Sequence, residues 1–152
     1  MIRILIVEDD NSQRKIIEYN LKQKGYETIA FDSAEKALPL LGKESFHLLI
    51  SDMKLPGMNG IDLLREVKQA RPELPVVFIT AFGTIEKAVE AMKLGAYDYI
   101  TKPFDRDDFL MTVDKALEFQ RLKDENIRLR SELESQSGFA NMIGSSRAMQ
   151  DI

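Results

Sequence analysis

The chain has 152 residues, 44% of them hydrophobic and 30% charged, a balance that suits a soluble globular domain with a sizeable core rather than a disordered chain. No apolar run approaches the roughly 20 residues of a membrane helix, and Met1 leads through a short apolar run straight into acids, so no secretory leader is expected. A net charge of −4 argues against a broad nucleic-acid surface. The absence of cysteine excludes disulfides and thiolate metal sites, so a reducing cytoplasm is the expected compartment.

Short apolar runs alternate with amphipathic stretches along the first 118 residues. "IRILIV" (2–7) is nearly continuous aliphatic sequence, as expected of a strand buried on both faces. Ile16, Ile17, Asn20 and Leu21 then line one face of a helix that Gly25 closes. "YETIAF" (26–31) is a weaker strand, followed by a helix that Ser33 can cap and Gly42 ends, with Pro39 inside it expected to disturb the hydrogen-bond ladder. After the strand "HLLIS" (47–51), Ile61, Leu64, Val67 and Lys68 mark a third helix, stopped before Pro72. "PVVFIT" (75–80) is a strand, Thr84 opens a fourth helix ending at Gly95, and "YDYIT" (97–101) is the last strand. Five strand–helix units of this kind imply an α/β fold: an open, doubly wound parallel sheet with helices on both faces.

From Asp107 the pattern changes. No Gly or Pro follows until Gly138, so one helix of about 28 residues is predicted, roughly 42 Å long at 1.5 Å per residue. Leu110, Val113 and Leu117 give its first half a broad face for packing on the sheet. Phe119, Leu122, Asn126, Leu129 and Leu133 then recur in steps of three and four, the spacing of a coiled-coil seam, with Asn126 at a position of the kind that fixes register. The mixed charge of this stretch speaks against a DNA-reading helix.

In parallel α/β sheets, ligands bind at the carboxyl ends of the strands. Glu8, Asp9 and Asp10 follow the first strand, Asp52 the third and Lys102 the fifth, while Thr80 ends the fourth. With strand order 2-1-3-4-5, as in flavodoxin-like sheets, these side chains converge. Three carboxylates in one pocket suit a hard divalent cation such as magnesium. Beside them, Lys102 and Thr80 supply a fixed cation and a hydroxyl, a set that suits a phosphoryl group and nucleophilic chemistry by one carboxylate.

"ILIVEDD" with Arg14, "LLISDMKLPGMNGIDLL", "VVFITAFG" and "YDYITKPF" together resemble the receiver domains of two-component response regulators, in order and spacing over about residues 1–118. The resemblance implies that Asp52 accepts a phosphoryl group from a sensor histidine kinase. It implies a Mg2+ (or Mn2+) ion held by Asp9 directly, by Glu8 through water, by Asp52 and by the backbone carbonyl of Lys54. Thr80 and Tyr99 take the places of the switch hydroxyl and aromatic, Lys102 that of the pocket lysine, and the Lys102–Pro103 bond is expected to be cis. Asp10 falls outside the acidic pair and is a cap candidate for the first helix. Lys54 and Phe82, two residues past Asp52 and Thr80, offer no proton acceptor to an attacking water, so a long-lived phosphoryl group is expected.

"FGTIEKAVEAMKLGAYDYITKPF", a coil, then "MIGSSRAMQDI" resembles NtrC-type activators, which work with the sigma-54 form of RNA polymerase. That implies a receiver at 1–118, a dimerising linker at 119–137 and a stub of an AAA+ ATPase domain at 138–152. The implied partners are a second copy in a homodimer and, in the full-length protein, the AAA+ domain, sigma-54 RNA polymerase and DNA. No phosphate loop of the G-x-x-x-x-G-K-[ST] type occurs, so ATP hydrolysis, direct nucleic-acid binding and membrane association are not expected of this segment. The chain is expected to be a switch without a turnover substrate. A magnesium-dependent phosphohydrolase is the alternative, disfavoured because Lys54 stands where its second acid would be.

Other residues have plainer readings. His47, the only histidine, is expected to be structural. Met53, Met92 and Met111 are expected to fill gaps, and Gly57 and Gly60 to form a turn. Ala88, Ala91, Met92 and Tyr99 form an apolar face suited either to a partner or to the core.

Overall fold

The structure, a computed structural model, describes residues 2–81, 85–123 and 125. Five strands, β1 (Arg3–Val7), β2 (Glu27–Phe31), β3 (Leu48–Asp52), β4 (Val76–Thr80) and β5 (Asp98–Thr101), pair in parallel in the order β2-β1-β3-β4-β5. Four helices connect them: α1 (Asn11–Gln23), α2 (Ala34–Leu41), α3 (Gly60–Ala70) and α4 (Ile85–Lys93). A fifth, α5, follows β5 and is helical from 106 to 120, one residue before its predicted start. The Oδ2 of Asp105 accepts from the Asp108 N–H at 3.4 Å at the head of α5. Met1–Gln120 form one compact unit, and the chain from Arg121 belongs to a second, in which residues 121–123 and 125 are helical. Among the described residues no helix is long and apolar enough to cross a membrane.

Because strand side chains alternate, each strand serves two apolar layers. Leu5, Val7, Leu49, Val76 and Phe78 pack with Leu63, Leu64 and Val67 of α3 and with Ala88 and Ala91 of α4. Ile4, Ile6, Leu48, Ile50, Val77 and Ile79 face the other way, onto Ile17 and Leu21 of α1 and Phe109, Val113 and Ala116 of α5. The runs that read as continuous apolar sequence, β3 and β4, are buried at every residue. Phe109, which the pattern did not single out, is fully buried and stacks on Phe104 at 5.1 Å between centroids.

Several expectations are corrected. Ile16 is 47% exposed, because it lies roughly a quarter turn from the centre of the face that buries Ile17, Asn20 and Leu21. As expected, Pro39 lies inside α2, which runs to Leu41 with Gly42 as its C-cap; its missing N–H costs the ladder one bond. Lys68 is no core residue, and its ammonium donates to the Pro72 carbonyl at 3.4 Å. Met53 is buried, whereas Met92 and Met111 are 38% and 54% exposed and fill no gap. Ala88 and Ala91 belong to the core, and the exposed apolar side chains of α4 are Val89 and Met92. His47 is structural, its Nδ1 accepting from the Arg3 N–H at 3.0 Å.

Of the seam residues, Phe119 is 48% exposed with its ring 5.2 Å from that of Tyr97, and Leu122 is 51% exposed. Asn126, Leu129 and Leu133 lie outside the described residues, as do Phe82 and Thr84.

Gly60 does more than turn the chain. A Cβ there would lie 2.9 Å from the Met53 Cα and carbonyl oxygen and from the buried Phe78 ring, which fixes how closely α3 approaches the end of β3. Backbone and a core ring yield little, so Gly60→Ala is expected to destabilise the domain by about 1–3 kcal/mol, the usual cost of overpacking. Urea unfolding of both proteins at equal ionic strength measures it.

Candidate functional site

The carboxyl ends of β1, β3, β4 and β5 bring Glu8, Asp52, Thr80 and Lys102 together. Val7 pairs with Ser51, Asp52 with Ile79, and Thr80 with Thr101, so each strand delivers its terminal residues to one edge. Carboxylate oxygens of Glu8, Asp9 and Asp52 all lie within 4.8 Å of one another, a group that can hold a metal ion. Glu8 and Asp52 are buried and Asp9 is exposed. The Nζ of Lys102 donates to Asp52 Oδ2 at 2.8 Å and to Glu8 Oε1 at 3.1 Å. The Lys54 N–H donates to Asp52 Oδ1 at 3.1 Å.

The surrounding loop is held from several sides. Asp10 caps α1, accepting from the Gln13 N–H at 3.0 Å, while its own N–H donates to Glu8 Oε2 at 3.3 Å. Arg14 donates to the Glu8 backbone carbonyl at 2.9 Å and to the Asn11 side chain. Thr80 is fully buried, its hydroxyl donating to the Ala81 carbonyl at 3.4 Å. The Lys102–Pro103 bond is cis. Tyr99 is half-buried against the layer that holds α3 and α4. Glu8, Asp9, Asp10, Asp52 and Lys102 line an open cleft of about 440 Å³, whose walls also include Lys54, Leu55, Pro56 and Ala81.

Burial, reinforced by the neighbouring Asp52, pushes the Glu8 carboxyl up to about 7. Burial works against the Lys102 ammonium, but its bonds to Asp52 and Glu8 outweigh that and raise it. With all four groups ionised, three carboxylates against one ammonium leave two uncompensated negative charges. The residues therefore fit a divalent oxygen-seeking cation in both charge and donor type.

The family model for the response regulator receiver domain matches residues 4–114. The chain belongs to the response regulator receiver family. Response regulator protein FleR of Pseudomonas aeruginosa is 48% identical over 103 residues, covering 68% of this chain and 22% of FleR. The transcriptional regulator NtrC of Klebsiella pneumoniae is 36% identical over 149 residues, covering 97% of this chain and 30% of NtrC. The receiver domain of NtrX from Brucella abortus, 39% identical, superposes with a TM-score of 0.73 over 76% of this chain and 98% of its own. NtrC and NtrX are sigma-54-type response regulators, and the chain spans less than a third of the length of the curated relatives it matches.

Within the receiver, the predicted Glu8, Asp9, Asp52, Lys54, Thr80 and Lys102 share one strand-end edge, and Tyr99 is the second of the four residues of β5. Pro56 and Leu55 of the cleft wall were missed, although "MKLPG" directly after Asp52 placed them there. So was Arg14 as a tether of the acidic loop.

The raised Glu8 carboxyl has a sign that can be checked. A carboxyl at about 7 in the folded chain and 4.5 otherwise binds a proton on folding. Its contribution to stability is therefore full below pH 4.5 and is lost as pH rises through 7. In metal-free buffer the wild type is expected to lose stability across that window, and Glu8→Gln to lose much less. Urea midpoints at intervals from pH 4.5 to 8 test this.

Proposed function

We propose that this receiver takes a phosphoryl group onto Asp52 from the phosphohistidine of a sensor kinase and passes the change to a longer NtrC-type protein. The observation that carries the reading is the contact of Lys102 with both Asp52 and Glu8, at 2.8 and 3.1 Å, beside the exposed Asp9. Lys102 holds the Asp52 carboxylate by one oxygen and the Lys54 N–H holds the other. The nucleophile is thereby oriented at the mouth of the cleft, where an in-line approach to phosphorus is open.

In the transfer, an Asp52 oxygen forms a bond to phosphorus as the phosphorus–nitrogen bond of the donor breaks, and the electron pair stays with the imidazole. Lys102 then faces the phosphoryl oxygens as well as the carboxylates. Glu8, Asp9, Asp52 and the Lys54 carbonyl are the groups we assign to Mg2+ (or Mn2+), which supplies charge neutralisation of the phosphoryl oxygens. The Thr80 hydroxyl is assigned to bond a phosphoryl oxygen, leaving its present partner at Ala81, with Tyr99 moving into the space it yields. The receiver has no turnover substrate in this scheme.

The attached parts are assigned from the same kinship: a dimerising linker at 119–137, an AAA+ ATPase domain opening at 138–152, and sigma-54 RNA polymerase and DNA as partners of the whole protein. Its place is the cytoplasm.

Incubation with acetyl phosphate and magnesium should add one phosphoryl group by intact mass. Asp52→Asn should abolish the gain, and a gain that survives the substitution refutes Asp52 as acceptor. Association is tested separately. Leu122→Asp with Leu129→Asp should give monomers in sedimentation, since a short seam cannot absorb two charges; an unchanged dimer would place the interface on the receiver face.

A further inference from the structure

Residues 54–59, between β3 and α3, carry the Lys54 carbonyl assigned above to the metal. The base of this loop is closed by the Gly60 N–H, which donates to the Met53 carbonyl at 2.9 Å, and Met53 itself donates to Ile79 of β4 at 3.0 Å. Asn59 is committed to α3, its side chain accepting from the Asp62 N–H at 2.9 Å. The tip is held from a different element. Glu35, in the first turn of α2, accepts from the Met58 N–H through Oε2 at 3.1 Å. The same oxygen lies against the bare Cα of Gly57, where a Cβ would overlap it; Gly57 has φ +74, a conformation that also disfavours a side chain. Carboxylate and glycine are thus fitted to each other across 22 residues of sequence.

We infer that Glu35 is a positioning residue for the metal-bearing loop. It touches neither metal nor phosphoryl group and acts by fixing the tip of residues 54–59, and with it the direction of the Lys54 carbonyl. The inference rests on the reading of that carbonyl as a metal ligand. What fixes the tip is a side-chain oxygen at hydrogen-bond distance from the Met58 N–H, a requirement of geometry that any acceptor of the same reach can meet. Lys36 is paired with Asp32 at 2.9 Å, so the neighbouring cation on α2 has a carboxylate other than Glu35 to satisfy it.

The test uses the full 152-residue chain and follows acetyl phosphate labelling of Asp52 against magnesium concentration. Glu35→Ala should raise the half-saturating magnesium concentration about 3- to 10-fold, below the 10- to 100-fold typical of groups bonded directly to a metal ligand. The rate at saturating magnesium should stay unchanged. Glu35→Gln keeps a carbonyl oxygen for the Met58 N–H and should stay within about twofold of wild type. Glu35→Asp keeps the charge but falls one methylene short, and should behave like Glu35→Ala. If the alanine and aspartate variants match wild type while Asp9→Asn loses its magnesium dependence, the metal reading stands and the role of Glu35 is refuted. If the wild type itself shows no magnesium dependence, the metal reading fails. If Glu35→Gln is as impaired as Glu35→Ala, the charge and not the hydrogen bond is responsible, which also overturns the inference. Metal-free urea midpoints guard the comparison: a loss of stability with unchanged half-saturation marks a merely structural residue.

Discussion

Glu8 and Asp52 are two acids buried side by side, and their contact through Lys102 is the constraint that the rest of the domain has to satisfy. Taking an ionised carboxylate out of water costs several kcal/mol even after relaxation. One ammonium cannot neutralise two such groups and Asp9 besides. The raised Glu8 carboxyl is the local response when only protons are available. A divalent cation is the other partner this donor set fits, and its charge would compete with that proton for the cluster.

Holding like charges together requires a frame that does not relax, and the parallel sheet supplies it. β1 and β3 are direct neighbours, so the residues after Val7 and at Asp52 cannot separate without breaking a ladder buried on both faces. Lys102 comes from beyond β5, and its side chain spans the end of β4 to reach the acids, which places the buried Thr80 inside the same cluster. The two apolar layers, one centred on Phe78 and the other on Phe109, press on that ladder from both sides. Gly60 sets the distance of α3 from Met53, so the loop after Asp52 inherits its position from core packing.

Much of this was legible because it follows from period and order. β1, β3 and β4 stand out as unbroken aliphatic runs, since strands covered on both faces need no polar alternation. Once the order 2-1-3-4-5 is assumed, the convergence of Glu8, Asp52, Thr80 and Lys102 follows from the rule that ligands meet strand ends. What escaped the sequence was angular and long-range. Ile16 and Met92 are apolar residues at the margin of a helical face, where the periodicity gives no sharp boundary between core and solvent. Ala88 and Ala91 are small enough to serve a core or a surface, and only the neighbouring Phe78 layer decides. The bond from Met58 to Glu35 joins a loop to the first turn of α2, 23 residues earlier in sequence, and has no periodic signature at all.

The edge strand β5 ties the site to the end of the domain. It is only half-buried, in contrast to β3 and β4, which are buried at every residue. Tyr99 lies against the layer of α3 and α4, whereas Tyr97, just before the strand, packs with the layer of α1 and α5. The Tyr97 ring meets that of Phe119 near the end of α5. Upstream on the same helix, Asp114 accepts from the Tyr26 hydroxyl at 2.7 Å and pairs with Lys24 at 3.2 Å, fastening α5 to the loop between α1 and β2. α5 is thus fastened along its middle by polar bonds, and its half-exposed Phe119 packs on Tyr97 ahead of β5. Phe119 therefore meets the chain entering β5 at the surface, while Phe109 and Val113 of the same helix are held in the core.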